Sequence, residues 1–351
     1  MTSRAEVVGT GLIGGSIGLA LRARGWHVTG RDVDEARAAR AHDLGALDAV
    51  GHDPDAELTF VAVPVSAIAA EATRAVAGGS VVTDVGGVKA PVVASVDHPR
   101  FVGGHPMAGS EQEGVDGADA ELFAGATWVL TPTIDTDPQA YARVRSVVST
   151  FGADVVALTP EQHDALVAVV SHVPHLTAAT LMGLASERAE EHAALLRLAA
   201  GGFRDMTRVA SGHPGIWPDI CVENRDAIVA ALDTLVHALT DMRELVSVGD
   251  RTALLRLLER ARAARVNLPT PAARPEDLAE LRVPVPDRPG VLAEVTTLAS
   301  ELGVNILDLE IAHSAEGPGG VLVVVVETSA TELVRGALVA RGYRPSVRSL
   351  A

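Results

Sequence analysis

The sequence predicts an α/β protein in three parts: an N-terminal parallel sheet, an all-helical segment and a small C-terminal α+β unit. Three observations predict it. Short, continuously apolar runs alternate with helical patterns over residues 1–158, as in a parallel sheet covered on both faces. Residues 159–266 are patterned for helix almost throughout. Residues 278–351 carry strand and helix signals in the order β-α-β-β-α-β, a ferredoxin-like unit.

The chain has 351 residues, enough for two or three domains, and 48% of them are apolar, enough for real cores. Basic residues number 29 and acidic residues 45, a net charge of −16 that argues against nucleic acid or an anionic membrane as partner. The one cysteine, Cys221, excludes an intrachain disulfide and a cysteine metal cluster. A glycine motif begins by residue 9, leaving no room for a signal peptide. No apolar run reaches the roughly 18 residues of a membrane span without charge or histidine. A cytoplasmic protein is expected.

The first element is the short apolar run ending at Val7-Val8. Gly9-Thr10-Gly11-Leu12-Ile13-Gly14 follows, and then a helical pattern. This G-x-G-x-x-G lies between a strand and a helix. The first glycine permits the turn, the second lets backbone approach a pyrophosphate, and the third lets helix pack on strand. The helix N-terminus then faces the phosphates. A second strand spans about Trp26–Gly30, and Asp32 lies 23 residues past Gly9, where an acid meets the ribose hydroxyls of NAD. Arg31 precedes it and suits the 2′-phosphate of NADP instead; NAD is the favoured reading. The part is thus of Rossmann type.

Further strands are expected at Leu58–Val63, closed by Pro64, and at Ser80–Thr83, closed by Asp84-Val85-Gly86-Gly87-Val88-Lys89. Phe101–Gly104, Thr127–Leu130 and Asp154–Leu158 complete the sheet. The loops after Val63, Thr83 and Gly104 should open on the cofactor side, which places Lys89 and His105 near the nicotinamide. His105 follows the glycine pair Gly103-Gly104; it is either a solvated loop histidine or a base that takes and returns a proton. Lys89 is the single lysine beside 28 arginines; it is either an accident of codon bias or a site that needs a compact ammonium.

Thr159-Pro160-Glu161-Gln162 reads as a capping box with proline in the first turn. The helix it starts carries Ser171-His172-Val173-Pro174-His175. His172 and His175 are three apart and can share a face, and Pro174 should kink the helix. No third metal ligand is evident at suitable spacing, so no metal is expected. Arg208 in Gly201–Arg208 has the fork that clamps a carboxylate, though Asp205 and Arg208 also suit a surface ion pair. From Ile220 to Arg265 the pattern is nearly continuous helix with an apolar stripe (Leu232, Leu235, Val236, Leu239), expected to pair two subunits in a homodimer. The proline-rich stretch within 267–277 is a semi-rigid linker.

The glycine motif, VAVP, DVGGVK, GGHPMAGSE, SHVPH, GGFRDMTR and IWPDI, in this order, resemble the prephenate dehydrogenase family, including its arogenate-using relatives. The resemblance covers about residues 4–265. The tail, with DRPGVLAEV and GVNI, resembles an ACT domain, a module that binds amino acids where two copies pair. The resemblance implies NAD-dependent oxidative decarboxylation of prephenate, or of arogenate, in tyrosine biosynthesis. It implies a catalytic His105, a carboxylate-binding Arg208 and a substrate-pocket His175, with Glu111, Asp205 and Trp217 around the site. The cofactor residues would be Gly9, Gly11, Leu12, Ile13, Gly14, Asp32, Val63, Pro64 and Lys89. An aromatic amino acid such as tyrosine would bind near Asp287, Gly290 and Asn305. One departure stands out: Gly87 occupies the place of a serine that orients the substrate hydroxyl or the histidine, leaving that contact to Ser110, to water or to nothing. A β-hydroxyacid dehydrogenase is the competing enzyme, but it would need a lysine in the helical part, and none follows Lys89. A non-catalytic NAD and amino-acid sensor is the competing regulator.

Overall fold

The computed structural model describes residues 2–109, 112, 114–191, 199, 201–212, 214–267, 278–286, 288–313 and 319–349. They form two compact units, Met1–Arg251 and Thr252–Ala351.

The first unit is built on eight strands: β1 (Arg4–Val8), β2 (His27–Arg31), β3 (Ala49–Val50), β4 (Leu58–Val61), β5 (Val81–Asp84), β6 (Phe101–Pro106), β7 (Thr127–Thr131) and β8 (Asp154–Ala157). Their spatial order is β3-β2-β1-β4-β5-β6-β7-β8. The chain leaves β1 toward β2 and β3, then crosses to the other side of β1 for β4. That reversal leaves a crevice beyond the carboxyl ends of β1 and β4, where open α/β sheets bind ligands. Helices α1 (Leu12–Ala23), α2 (Glu35–Asp43), α3 (Val65–Ala77), α4 (Ala90–Val96) and α5 (Pro138–Thr150) connect strands of the sheet. Val7, Phe60, Leu58, Val102 and Leu130 are buried between them, which is why the strands are apolar throughout.

The sheet is not parallel throughout. β3 to β6 pair in parallel, but β7 runs antiparallel to β6, and β8 is parallel to β7. Among its described residues, the connection from β6 to β7 holds only a 3₁₀ turn, Val115–Gly117, and no crossover helix. The chain therefore stays at one edge of the sheet, and the next strand must run back. The apolar content of β7 gives no hint of its direction.

The expected capping box is formed: Thr159 Oγ1 accepts from the Gln162 backbone, and Gln162 accepts from Thr159 N. It starts α6 (Pro160–Val167). A π turn over Ala168–His172 then leads into α7 (Val173–Glu191), followed by α8 (Gly201–Thr207), α9 (Trp217–Glu223) and α10 (Arg225–Val248). Pro174 has no N–H, and its ring would press on the carbonyl four residues back. The π turn, in which Val173 N–H reaches back to the Ala168 carbonyl, widens the helix at this point. The irregularity expected at Pro174 takes the form of this widened turn. The expected long helix from Ile220 is interrupted at Asn224 and again at Gly249, whose φ of +68° ends α10.

By length and hydropathy the stretch Pro160–Arg188 is apolar enough to cross a membrane. It also carries the buried His163, Asp164 and His172 of the site described below. Its outer residues Val169, Val170 and Leu184 are exposed, as are Val229, Val236 and Leu239 of α10. An apolar groove of about 570 Å³ runs along this face, lined among others by Val173, Thr177, Leu181, Met206 and Leu235.

The second unit holds all but the first residue of α11 (Arg251–Val266), then β9 (Leu278–Pro286), α12 (Val291–Glu301), β10 (Asp308–His313), β11 (Gly319–Glu327), α13 (Thr331–Ala340) and β12 (Ser346–Ser349). The strand order is β10-β11-β9-β12, all antiparallel. This is the β-α-β-β-α-β arrangement expected. Leu281, Val283, Leu322, Val324 and Val326 on the sheet bury against Val295, Leu298, Val334 and Leu338 on the helices. Alternate residues of β9 point inward, as a sheet with one covered face requires.

Candidate functional site

The crevice beyond β1 and β4 fits a dinucleotide on three counts. Gly9 has φ +90°, and a Cβ there would lie 2.3 Å from the Ala62 carbonyl oxygen; a Cβ on Gly14 would lie 1.9 Å from that of Gly9. Only glycine closes this turn. A Cβ on Gly11 would meet nothing within 4 Å, so that face of the turn is open to a ligand. Gly11 is the N-cap of α1, no side chain caps it, and Leu12 and Ile13 form the first turn whose N–H groups suit phosphate. Val63 lies against Gly9, and Pro64 is the N-cap of α3.

Asp32, just past the end of β2, closes over the glycine turn. Its carboxylate accepts from Thr10 N at 2.8 Å and Asp34 N at 3.0 Å, with Arg37 at 3.2 Å. Burial pushes this carboxyl up, but those backbone donors and Arg37 outweigh it and hold the group below the usual range. Arg31 is committed elsewhere, to Glu71 at 2.7 Å and Glu6 at 3.0 Å. The guanidinium that suited a 2′-phosphate is therefore occupied within the protein, which favours NAD.

A second cluster of polar side chains lies at the ends of β5 and β6. Val82 and Thr83 pair with Phe101 and Val102, so β6 continues past the last residue of β5, and His105, still paired with Val129 of β7, is uncovered on its β5 side. His105 is partly exposed. Its Nδ1 is 2.8 Å from His163 Nε2, and His163 Nδ1 is 2.7 Å from Asp164 Oδ1. Asp164 also accepts from Lys89 N at 2.7 Å and Ala90 N at 2.8 Å, which fastens α6 to the start of α4. Burial, and then the neighbouring His163, Lys89 and His172, push the His105 imidazole well below its ordinary value, so it is neutral and basic-form at pH 7.

Lys89 sits differently from the sequence reading. It is fully buried; its Nζ is paired with Asp84 and donates to the Gly104 carbonyl at 2.8 Å. Asp84 in turn accepts from Gly86 N at 2.9 Å and Gly104 N at 3.0 Å. The ammonium is thus an internal tie between the β5 loop and the residue before His105. Its cofactor-side placement is corrected on that ground: a side chain with no exposed surface presents nothing to a ligand.

The helical residues converge on the same cluster through Asn224. Its Nδ2 donates to the Asp164 carbonyl at 3.0 Å and to His172 Nδ1 at 3.2 Å. Burial lowers the His172 pKa to about 4. The Trp217 ring stands edge-on to His172 at 6.1 Å and stacks on His175 at 3.6 Å with 12° between planes. The two histidines do not share one environment: His172 is buried, and His175 is partly exposed. Burial also lowers the His175 pKa. Trp217 packs on the apolar cluster of Val88, Ala168, Ile220 and Ile228, next to the DVGGVK loop. Arg208 begins a 3₁₀ turn that packs on α7; it and Asp205 are exposed. Ser110, Glu111 and Asp287 lie outside the described residues. In the second unit Gly290, with φ +91°, starts α12, and Asn305 is exposed on the way to β10.

Residues 17–165 match the family model for the prephenate dehydrogenase nucleotide-binding domain, residues 159–260 that for the prephenate dehydrogenase dimerization domain, and residues 279–337 that for the ACT domain. The chain is 34% identical over 334 residues to the prephenate dehydrogenase of Bacillus subtilis, covering 90% of each protein. It belongs to the prephenate dehydrogenase family. It is similar to the crystal structure of prephenate dehydrogenase from Aquifex aeolicus in complex with hydroxyphenyl propionate and NAD+, with TM-score 0.71, 30% identity, and coverage of 76% of this chain and 98% of that one. It is also similar to that of Synechocystis arogenate dehydrogenase, with TM-score 0.66, 32% identity, and coverage of 75% and 98%.

Within this member of the prephenate dehydrogenase family, the sequence reading missed His163, Asp164, Asp84 and Asn224. The signal for the first two was a His-Asp pair in the first turn behind the capping box, where both are buried. Asp84 stood at a strand end five residues before the one lysine. Asn224 ends a helix and carries no sequence signal of its own.

Proposed function

We propose that this NAD-dependent oxidoreductase converts prephenate to 4-hydroxyphenylpyruvate by oxidative decarboxylation, in tyrosine biosynthesis. The observation that carries the proposal is His105: a neutral imidazole at the sheet edge, braced by His163 and Asp164, beside a crevice shaped for a dinucleotide. NAD, bound on the glycine turn by Gly9, Gly11, Leu12, Ile13 and Gly14 with Asp32 at the ribose, supplies the hydride acceptor. His105 takes the proton of the ring C4 hydroxyl as C4 gives up its hydride. The ring carboxylate leaves as CO2, its bonding pair enters the ring, and aromatisation drives the reaction. The protein mainly positions and polarises.

Arg208 is assigned a substrate carboxylate, and His175, stacked on Trp217, the substrate pocket. Asp205 and Glu111 belong to its surroundings, with Ser110 a candidate to orient the hydroxyl. The apolar groove on α7 and α10 is assigned to a second copy in a homodimer, consistent with the dimerization-domain match. The ACT unit is assigned an aromatic amino acid effector, tyrosine first, near Asp287, Gly290 and Asn305. The protein is placed in the cytoplasm.

The similarity to Synechocystis arogenate dehydrogenase supports a second reading, arogenate to tyrosine. The two substrates share the ring and differ in the side chain. Substrate labelled in the ring carboxyl decides the reaction class: labelled CO2 should appear in equal amount to reduced NAD, and reduction without labelled CO2 would exclude it. The product, 4-hydroxyphenylpyruvate or tyrosine, then separates the two substrates.

A further inference from the structure

The two ring nitrogens of His105 meet different surroundings. Nδ1 is 2.8 Å from His163 Nε2. The opposite edge faces Gly87, where a Cβ would lie 3.8 Å from both Nε2 and Cε1. Glycine brings no side chain to that edge, so no side chain at position 87 can choose the tautomer of the base.

The choice can be made from the other side. Asp164 accepts from two backbone N–H groups, those of Lys89 and Ala90, and an ionised carboxylate only accepts. His163 Nδ1, 2.7 Å from Asp164 Oδ1, must therefore carry its proton. With that one proton on Nδ1, His163 accepts through Nε2, and His105 donates to it through Nδ1–H. That leaves the lone pair of His105 on Nε2. Among the described residues, the groups set against His105 are His163 with Asp164 from α6, Lys89 with Asp84 from the β5 loop, and His172 from the π turn. Lys89 and Asp84 are spent on each other and on backbone, and His172 Nδ1 on Asn224. Among the described residues, His163 is the group that bonds the His105 ring.

We infer that His163, oriented by Asp164, is the positioning residue that fixes His105 in its Nδ1–H tautomer and keeps a bare Nε2 toward Gly87 and the substrate. The role rests on the proposed function only in that Nε2 is the proton acceptor. The tautomer itself is a property of the protein alone. The arrangement matches the general rule that a base is held in one tautomer by a hydrogen bond to its other nitrogen. It also explains how this chain keeps an ordered base with glycine at position 87.

Two measurements test it. In full-length protein labelled with ¹⁵N-histidine, with His105→Asn used to assign the signals, His105 should show a protonated Nδ1 and a bare Nε2 at neutral pH. In kinetics, His163→Leu should lower kcat by about 10–100-fold, the usual cost of removing such a partner, with KM little changed. His163→Gln, whose carbonyl still accepts from Nδ1–H, should recover most of it. A His105 protonated on Nε2, or a His163→Leu enzyme with unchanged kcat, would overturn the relay. If the protein turned over neither prephenate nor arogenate, the proposed function would fail, and the wild-type spectrum would still decide the tautomer.

Discussion

Lys89 and Asp84 form an ion pair in which neither side chain has any exposed surface. The pair ties the DVGGVK loop to the Gly104 peptide that precedes His105. Burial lowers the Lys89 pKa against the pull of Asp84 and Asp164, so the pair is costly to form and more costly to break. Lys89→Met should leave Asp84 uncompensated and destabilise the protein by about 3–5 kcal/mol in urea unfolding. A loss below about 1 kcal/mol, the size of a surface pair, would contradict the internal role.

The same residues mark how far the sequence could be read. Gly9 and Gly14 were legible because a turn and a close approach each demand glycine at a fixed spacing. The C-terminal unit was legible because alternation on β9 and helical periodicity on α12 are local signals. The direction of β7 was not, since apolar strands look alike in both directions. Lys89 was noticed for its rarity but misplaced, because burial depends on the partner Asp84 closing over it. His163 and Asp164 were passed over as helix start, because their value comes from β6, some 58 residues away in sequence.

The nucleotide crevice predicts cofactor choice. NAD should bind in preference to NADP, because Arg31 is held by Glu6 and Glu71. Asp32→Ala should weaken NAD binding by about 1.5–3 kcal/mol, the range for hydrogen bonds to a charged group, or roughly 10–100-fold in Kd. Arg31→Ala should leave NADP binding no weaker than before. Fluorescence titration of both nucleotides reads this, and an Arg31→Ala protein that lost NADP affinity would count against the assignment.

His172 predicts an acid limb in stability. Its folded-state pKa is about 4 against an ordinary 6.5, so between these values the unfolded chain binds a proton that the folded protein does not. Stability should fall as pH drops from 6.5 toward 4, and this contribution should be complete below that. The lowered carboxyls Asp32 and Asp48 act in a separate window, below 3.8. Urea midpoints across pH 7 to 4 should fall less steeply in His172→Gln; an unchanged slope would remove His172 from the account.

Gly87 predicts a tolerated substitution. A Cβ there makes only ordinary contact with His105, at 3.8 Å. Gly87→Ser should fold normally and change kcat by no more than about threefold, a barrier change of roughly 0.7 kcal/mol, because His163 already orders the base. A gain of tenfold or more in steady-state kcat would show that His105 is poorly ordered without the serine.

The central claim is that His105 is the base of an NAD-linked oxidative decarboxylation. The most direct measurement is the rate of reduced-nicotinamide formation by the wild type and by His105→Asn, with NAD and either prephenate or arogenate. The account predicts turnover of at least one substrate by the wild type and a fall of about 10²–10⁴-fold in the variant, the usual worth of a positioned base, with NAD binding kept. A wild type that binds NAD but oxidises neither substrate, or a variant that keeps the wild-type rate, would contradict it.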